Sequence, residues 1–204
     1  ADIASLQPYA DWFSRPVEAV HADLLDLREQ VKRWQKVQNL VSRETLARLE
    51  AHVDLLRRWQ KRINLVATST LPDIWRRHVL DSAQLLPLVP EGARRLLDLG
   101  SGAGFPGLVL AILGGFDTVL VESDARKAAF LREAARLTGA KATVLIARIE
   151  SIGPDSLGPI DVVTARALAP LPQLVAWAAR FSGEKTVLLA PKGRDLEREL
   201  TGLA

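Results

Sequence analysis

The stretch Leu96-Leu97-Asp98-Leu99-Gly100-Ser101-Gly102-Ala103-Gly104-Phe105-Pro106-Gly107 decides how the chain is read. An apolar run ends in a carboxylate, three glycines follow at alternate positions, and a proline stands where a helix can open. The pattern reads as a buried parallel strand, a tight turn and a helix N-terminus. Glycines in such a turn let backbone N–H groups and the positive helix end come close to a ligand.

Downstream of this stretch, strands alternate with helices. Strands are expected at about Arg95–Leu99, Thr118–Glu122, Ala142–Ile146, Ile160–Ala165 and Thr186–Ala190. Helices are expected near Gly107–Leu113, from Asp124 to Thr138 with Gly139 as the stop, and from Leu171 to Phe181. This alternation indicates an α/β fold with a doubly wound, mostly parallel sheet, and the ligand crevice at the carboxyl ends of the strands.

Upstream, the hydrophobic period is helical. Residues 1–16 read as an irregular arm. Val17, Val20, Leu24, Leu27, Val31 and Trp34 then share one helix face, and after a break Ser42 can cap a second helix carrying Leu46, Leu49, Val53, Leu56, Trp59 and Ile63. Trp34-Gln35-Lys36 is echoed by Trp59-Gln60-Lys61, a single echo and therefore no solenoid. A third helix is expected from near Pro72 to about Leu88, with His78, Asp81 and Ser82 on one face. The expected division is an N-terminal arm with helices packing on the core at 1–90 and a ligand-binding α/β core at 91–204.

Composition narrows the function. The 204 residues are 48% hydrophobic, enough for a sizeable core. No apolar run approaches the roughly 18–20 residues that span a bilayer, so no membrane partner is expected. There is no cysteine, which removes disulfides, thiolate metal sites and a cysteine nucleophile, and fits a reducing cytoplasm. His21, His52 and His78 are too scattered for a metal site. Net charge is only +3, but from Arg28 to Arg62 ten Lys/Arg stand against four Asp/Glu. Such a basic patch points to a polyanion, with a solvated helix face as the plainer alternative.

The glycine turn satisfies two templates. Gly102-x-Gly104-x-x-Gly107, with Glu122 about 20 residues on to hold ribose hydroxyls, fits a dinucleotide site and hence an NAD-dependent oxidoreductase. Asp98-x-Gly100-x-Gly102-x-Gly104 fits an S-adenosylmethionine site. Three features favour the latter. A carboxylate at Asp98 suits a cationic ligand and opposes a pyrophosphate. The dinucleotide register leaves Gly100 unexplained, and Pro106 removes an N–H where a pyrophosphate would need donors. Ile149 and Glu150, after the third strand, lie where an adenine ring would rest. Arg166, ending the fourth strand, suits a phosphate or carboxylate, and Lys192, after the fifth, a phosphate; a strand-end salt bridge and a solvated turn lysine are the plainer readings.

Together these residues form a pattern. Trp59 with Ile63-Asn64-Leu65, Trp75-x-x-His78-x-x-Asp81-Ser82, the glycine stretch, Arg148-Ile149-Glu150, Arg166-Ala167 and Lys192-Gly193 occur in an order and spacing that resembles the RsmG (GidB) family of small-subunit rRNA guanine-N7 methyltransferases. The resemblance covers about residues 45–195. It implies methyl transfer from S-adenosylmethionine to N7 of one guanine in 16S rRNA, within the naked RNA or the small ribosomal subunit. It implies cofactor contacts from Gly100, Phe105, Ile149, Glu150 and Arg166, to which the reading of the turn adds Asp98, Gly102, Gly104 and Glu122. Asn64, His78, Asp81 and Ser82 are the expected substrate-side residues, and Arg166 and Lys192 are expected to position the substrate. A non-catalytic RNA-binding protein of this fold is a further alternative. A monomer without a metal is expected. The family's sheet resembles the seven-stranded methyltransferase sheet, so with five strands visible the last two are expected to be missing.

Overall fold

A computed structural model describes residues 41–191 of the chain. The arm at 1–16, the helix expected from Val17, the first half of the Trp-Gln-Lys echo and Lys192 lie outside the described residues.

The glycine stretch sits at the middle of a five-stranded sheet. The strands are β1 (Arg95–Leu99), β2 (Asp117–Glu122), β3 (Ala142–Ile146), β4 (Val162–Ala165) and β5 (Val187–Leu189), in the order β3-β2-β1-β4-β5. All four pairings are parallel, with Leu97 opposite Val119 on one side and Val163 on the other. Between the strands run α2 (Gly107–Gly114), α3 (Ala125–Thr138) and α4 (Leu171–Ala179), and α1 (Arg43–Gln60) precedes them all. This is the doubly wound, parallel α/β architecture that the alternation predicts, and the expected strands differ from the observed ones by at most two residues at either end.

Strand alternation gives the sheet two buried faces. Leu97, Leu99, Val119, Val121, Val163 and Ala165 point to one face and pack with Leu174 and Ala178 of α4. On the other face, Leu120 packs with residues of α1, α2 and α3, among them Leu56, Leu108 and Phe130. Leu56, Leu96, Leu97, Leu108, Leu110 and Phe130 are almost wholly buried, and each contributes about 2–3 kcal/mol by leaving water. Helix ends follow local chemistry. The Asp124 carboxylate accepts from the N–H groups of Arg126 and Lys127 at 2.8 and 3.3 Å, and Gly139 closes α3 in a left-handed conformation at φ 63°.

The third helix is not continuous. Instead of one helix from Pro72 to Leu88, the chain makes a 3-10 turn over Thr68–Asp73, π-helical turns over Trp75–Leu80, one α-turn over Asp81–Ala83 and another 3-10 turn over Leu86–Leu88. Pro72 has no N–H to donate, and Pro87 interrupts the far end. The inward residues still serve the core, since Ile74, Val79 and Ala83 are buried. The irregularity therefore changes where the polar residues of this segment point, and leaves its apolar side in place.

Candidate active site

β1 hydrogen-bonds β2 on one side and β4 on the other, so the chain leaves β1 at the point where the winding reverses. Adjacent crossovers diverge there and open a crevice at the strands' carboxyl ends. A cavity of about 280 Å³ occupies that place, lined by Gly100, Gly102, Glu122, Ile149, Glu150 and Arg166, together with Lys127, Arg148, Leu168 and Trp177.

The turn is held from several directions. The Gly102 N–H donates to one oxygen of Glu122 at 2.9 Å, and the Asp124 N–H donates to the other at 2.8 Å. Glu122 thus ties the glycine turn to the end of β2 while lining the crevice. His52, buried on α1, bonds the Ala103 carbonyl through Nε2 at 2.9 Å. Burial lowers its pKa to about 4, so it is a neutral donor to that carbonyl. Gly107 can be only glycine, because a Cβ there would lie 2.4 Å from Asp98 Cβ.

Asp98 lies beneath the turn. Alternation along β1 sends it to the α2 face, where Oδ1 accepts from the Thr164 hydroxyl at 2.6 Å and Oδ2 has no hydrogen-bond partner among the described residues. Burial pushes its pKa up to about 6, against the opposing pull of the Thr164 hydroxyl. It supports the turn and does not line the crevice.

Arg166, His78, Phe105 and Thr70 form a connected set at the other rim. Arg166 Nη2 donates to His78 Nδ1 at 2.7 Å and Nη1 to the Arg77 carbonyl at 3.2 Å. His78 Nε2 lies 2.8 Å from the Thr70 hydroxyl, which itself donates to the Ala67 carbonyl at 2.7 Å. The guanidinium has only donors, so Nδ1 must accept, and Nε2 carries the hydrogen toward Thr70. His78 is therefore a neutral imidazole, and its pKa is lowered to about 4 by burial and then by the nearby Arg166 and Arg77. Phe105 stacks on His78 at 5.0 Å and lies 5.2 Å from the Arg166 guanidinium. Its ring is buried under these two residues and does not line the crevice.

The remaining candidates divide. Glu150 is exposed on the crevice wall and Ile149 is buried beside it, in the turn expected to meet an adenine. The exposed Asp81 carboxyl has its pKa raised by partial burial, against the pull of Arg166. Ser82 is buried, and its hydroxyl donates to the His78 carbonyl at 2.6 Å. Asn64 is exposed and accepts a 3.4 Å bond from Gln60.

Three residues have positioning roles that the sequence analysis did not assign to them. Gln60 accepts from the N–H groups of Leu65 and Val66 at 2.9 and 3.1 Å and fixes the turn that presents Asn64. Arg180 donates to the carbonyls of Ile149, Glu150 and Ile152 at 2.9, 3.2 and 2.8 Å and clamps the turn beside the crevice. Thr70 orients His78. His52 left a sequence signal, since it falls between Leu49 and Leu56 on the apolar face of α1.

The comparisons with known proteins agree with this geometry. A family model described as rRNA small subunit methyltransferase G matches residues 45–204. The chain belongs to that family, GidB. Ribosomal RNA small subunit methyltransferase G of Paramagnetospirillum magneticum is 60% identical over 164 residues, 80% of this chain and 78% of that one. The protein of the same name from Parvibaculum lavamentivorans is 59% identical over 165 residues, 79% of this chain and 73% of that one. In fold, the chain is similar to a precorrin-6y C5,15-methyltransferase from Geobacter metallireducens, with a TM-score of 0.50 and 14% identity over 68% of this chain and 71% of that one. As a GidB protein it is an rRNA methyltransferase with S-adenosylmethionine as its cofactor. The crevice fits that cofactor. It offers an acid at the β2 end for ribose hydroxyls, an apolar turn at Ile149 for a base, and a cation at Arg166 for a carboxylate. Membership of this methyltransferase family sets aside the dinucleotide reading.

Proposed function

We propose that the chain methylates N7 of a guanine in 16S rRNA, acting as a cytoplasmic monomer on the naked RNA or the small ribosomal subunit. The observation that carries this reading is the state of His78. Both of its ring nitrogens are engaged, one as acceptor from Arg166 and one as donor to Thr70, so the imidazole at the rim has no free lone pair for a proton. Glu122 is likewise engaged, with an N–H on each oxygen. Guanine N7 carries its own lone pair and requires no general base. S-adenosylmethionine, when bound, supplies an electrophilic methyl carbon on a sulfonium.

The residues of the chain then act by placement. Glu122, Ile149 and Arg166, which line the crevice, would hold the cofactor. Arg166, fixed by His78 and flanked by Phe105, keeps its charge at the rim where the acceptor base enters. Holding the nucleophile in line and excluding water provides the rate enhancement. The guanine must be unstacked, or already exposed in an RNA loop, to reach the crevice.

Nucleoside mass spectrometry of 16S rRNA tests this. Cells lacking the protein should lose one 7-methylguanosine per 16S molecule and regain it on re-expression. An unchanged 7-methylguanosine level would refute the proposal.

A further inference from the structure

A second concavity lies outside the cofactor crevice, between the end of α1 and the start of α3. It measures about 710 Å³, and Arg58, Lys61, Arg62 and Arg126 stand around it, with Trp59 and Ile63 among its apolar lining. No acid lines it. Arg126 reaches Asp124 at 3.4 Å, whereas Arg58, Lys61 and Arg62 have no ion pair among the described residues. Glu133, the acid whose charge Arg58 influences, is already bound by Arg136 at 2.8 Å. Trp59 packs edge-on against Phe130 at 5.9 Å, which fixes an aromatic surface in the lining.

Position gives this cleft a purpose. Arg126 lines the cleft, while the next residue, Lys127, lines the cofactor crevice. The first turn of α3 therefore lies between the two concavities. Ile63 lines the cleft, and Asn64, the next residue, is held by Gln60. Unpaired cations around an apolar aromatic floor match a nucleic acid strand, whose phosphates and bases need both. An acidic peptide would satisfy the cations and leave the floor unused.

We propose that this cleft holds the rRNA strand beside the target guanine, with phosphates on Arg58, Lys61 and Arg62 and a base against Trp59 and Ile63. The proposal deepens the methyltransferase reading above and rests on it.

The test uses the full chain and small ribosomal subunits from cells lacking this protein, with methyl transfer from radiolabelled S-adenosylmethionine as the readout. Arg58, Lys61 and Arg62 are exposed, so the triple variant Arg58→Ala/Lys61→Ala/Arg62→Ala should fold. Its KM for subunits should rise about tenfold or more while kcat stays within about twofold, the mark of lost uniform binding. S-adenosylhomocysteine affinity, measured by calorimetry, should not move. The logarithmic salt dependence of KM should flatten by about 2, for three lost phosphate contacts on a single strand. A wild-type KM and salt slope in the triple variant would overturn the cleft assignment and leave the methyltransferase reading standing. If the triple variant melts early, Arg58→Lys/Arg62→Lys keeps the charge and should retain a near wild-type KM, whereas Arg62→Glu should raise it; equal effects from the two would also overturn the proposal. Failure of the wild-type chain to methylate guanine N7 would instead refute the reading on which the proposal rests. In that case fluorescence anisotropy with a single-stranded RNA decides the cleft, since equal binding by wild type and triple variant would overturn it.

Discussion

The Thr70 hydroxyl has one hydrogen, and its 2.7 Å bond to the Ala67 carbonyl leaves it an acceptor toward His78. Arg166 approaches the opposite ring nitrogen as a donor, so protonating His78 would set N–H against N–H at 2.7 Å. Thr70→Val removes the acceptor and leaves Nε2–H unpaired at a partly buried site, at about 1–3 kcal/mol. The imidazole can then turn and release Arg166. We expect Thr70→Val to lower kcat/KM for methyl transfer about tenfold and Thr70→Ser to restore it, because serine keeps the oxygen; equal activity of the two variants would count against this role. Asp98 permits a second prediction. With its pKa near 6 in the fold against 3.8 for a free carboxyl, it is held protonated below about pH 6, and its burial opposes folding once it ionises. Asp98→Asn should therefore gain on the wild type by about 1 kcal/mol between pH 5 and pH 8 in denaturant titrations, because any fixed cost of the amide is the same at both pH values. These roles were only partly legible in the sequence. The glycine motif identified the turn, and strand alternation places Asp98 with Leu96 on the α2 face. Thr70 bonds His78 across a broken helix, and Arg166 reaches His78 across 88 residues of chain, so no local period records either contact.

At the scale of elements, the α/β alternation was readable because each strand and helix carries its own signal. Asp124 and Gly139 delimit α3 by local chemistry, and β3 runs over Ala142–Ile146, the span expected from its β-branched and apolar residues. The segment from Pro72 to Leu88 was not readable. Its apolar spacing is helical, yet Pro72, Pro87 and the π-helical turns divide it into four short pieces. Nor did α4 reveal its second task. Arg180 follows the helix and spends its guanidinium on three carbonyls of the turn around Ile149 and Glu150, some 30 residues earlier. Without it the turn keeps local hydrogen bonds, from the Ser151 N–H and hydroxyl to the Arg148 carbonyl and from the Ile152 N–H to the Ile149 carbonyl. Arg180→Ala should therefore weaken S-adenosylhomocysteine binding about tenfold by calorimetry. Arg180→Lys should recover little, since one ammonium cannot reproduce the planar fork that spans three acceptors. Hydrogen exchange should rise at residues 149–152, and unchanged exchange there would show that the turn holds its shape without the clamp.

For the whole molecule, the buried titratable groups determine how the fold responds to acid. His52 and His78 each have a pKa of about 4 in the folded chain against 6.5 when free. Their folded pKa values are depressed, so the unfolded chain takes up their two protons first, and stability present above about pH 6.5 is lost as pH falls toward 4. Asp98 acts in the opposite sense. Its folded pKa is raised to about 6, so protonation favours the fold in the window from about 6 down to 3.8. Around pH 5 the unfolded state thus gains nearly two protons on the histidines while the folded state gains about one on Asp98. The difference favours unfolding, so the melting temperature should fall steadily between pH 6.5 and pH 4.5. Partial exposure of His78 softens its share, which leaves the wholly buried His52 as the dominant group. Asp98→Asn removes the opposing group and should steepen the fall, and His52→Gln, which keeps a donor for the Ala103 carbonyl, should flatten it. Thermal melts of the three proteins across this range decide the matter: a wild-type melting temperature that is flat or rises on acidification would mean that the two imidazoles take up their protons within the fold, and that the neutral His78 on which the placement of Arg166 depends is not maintained.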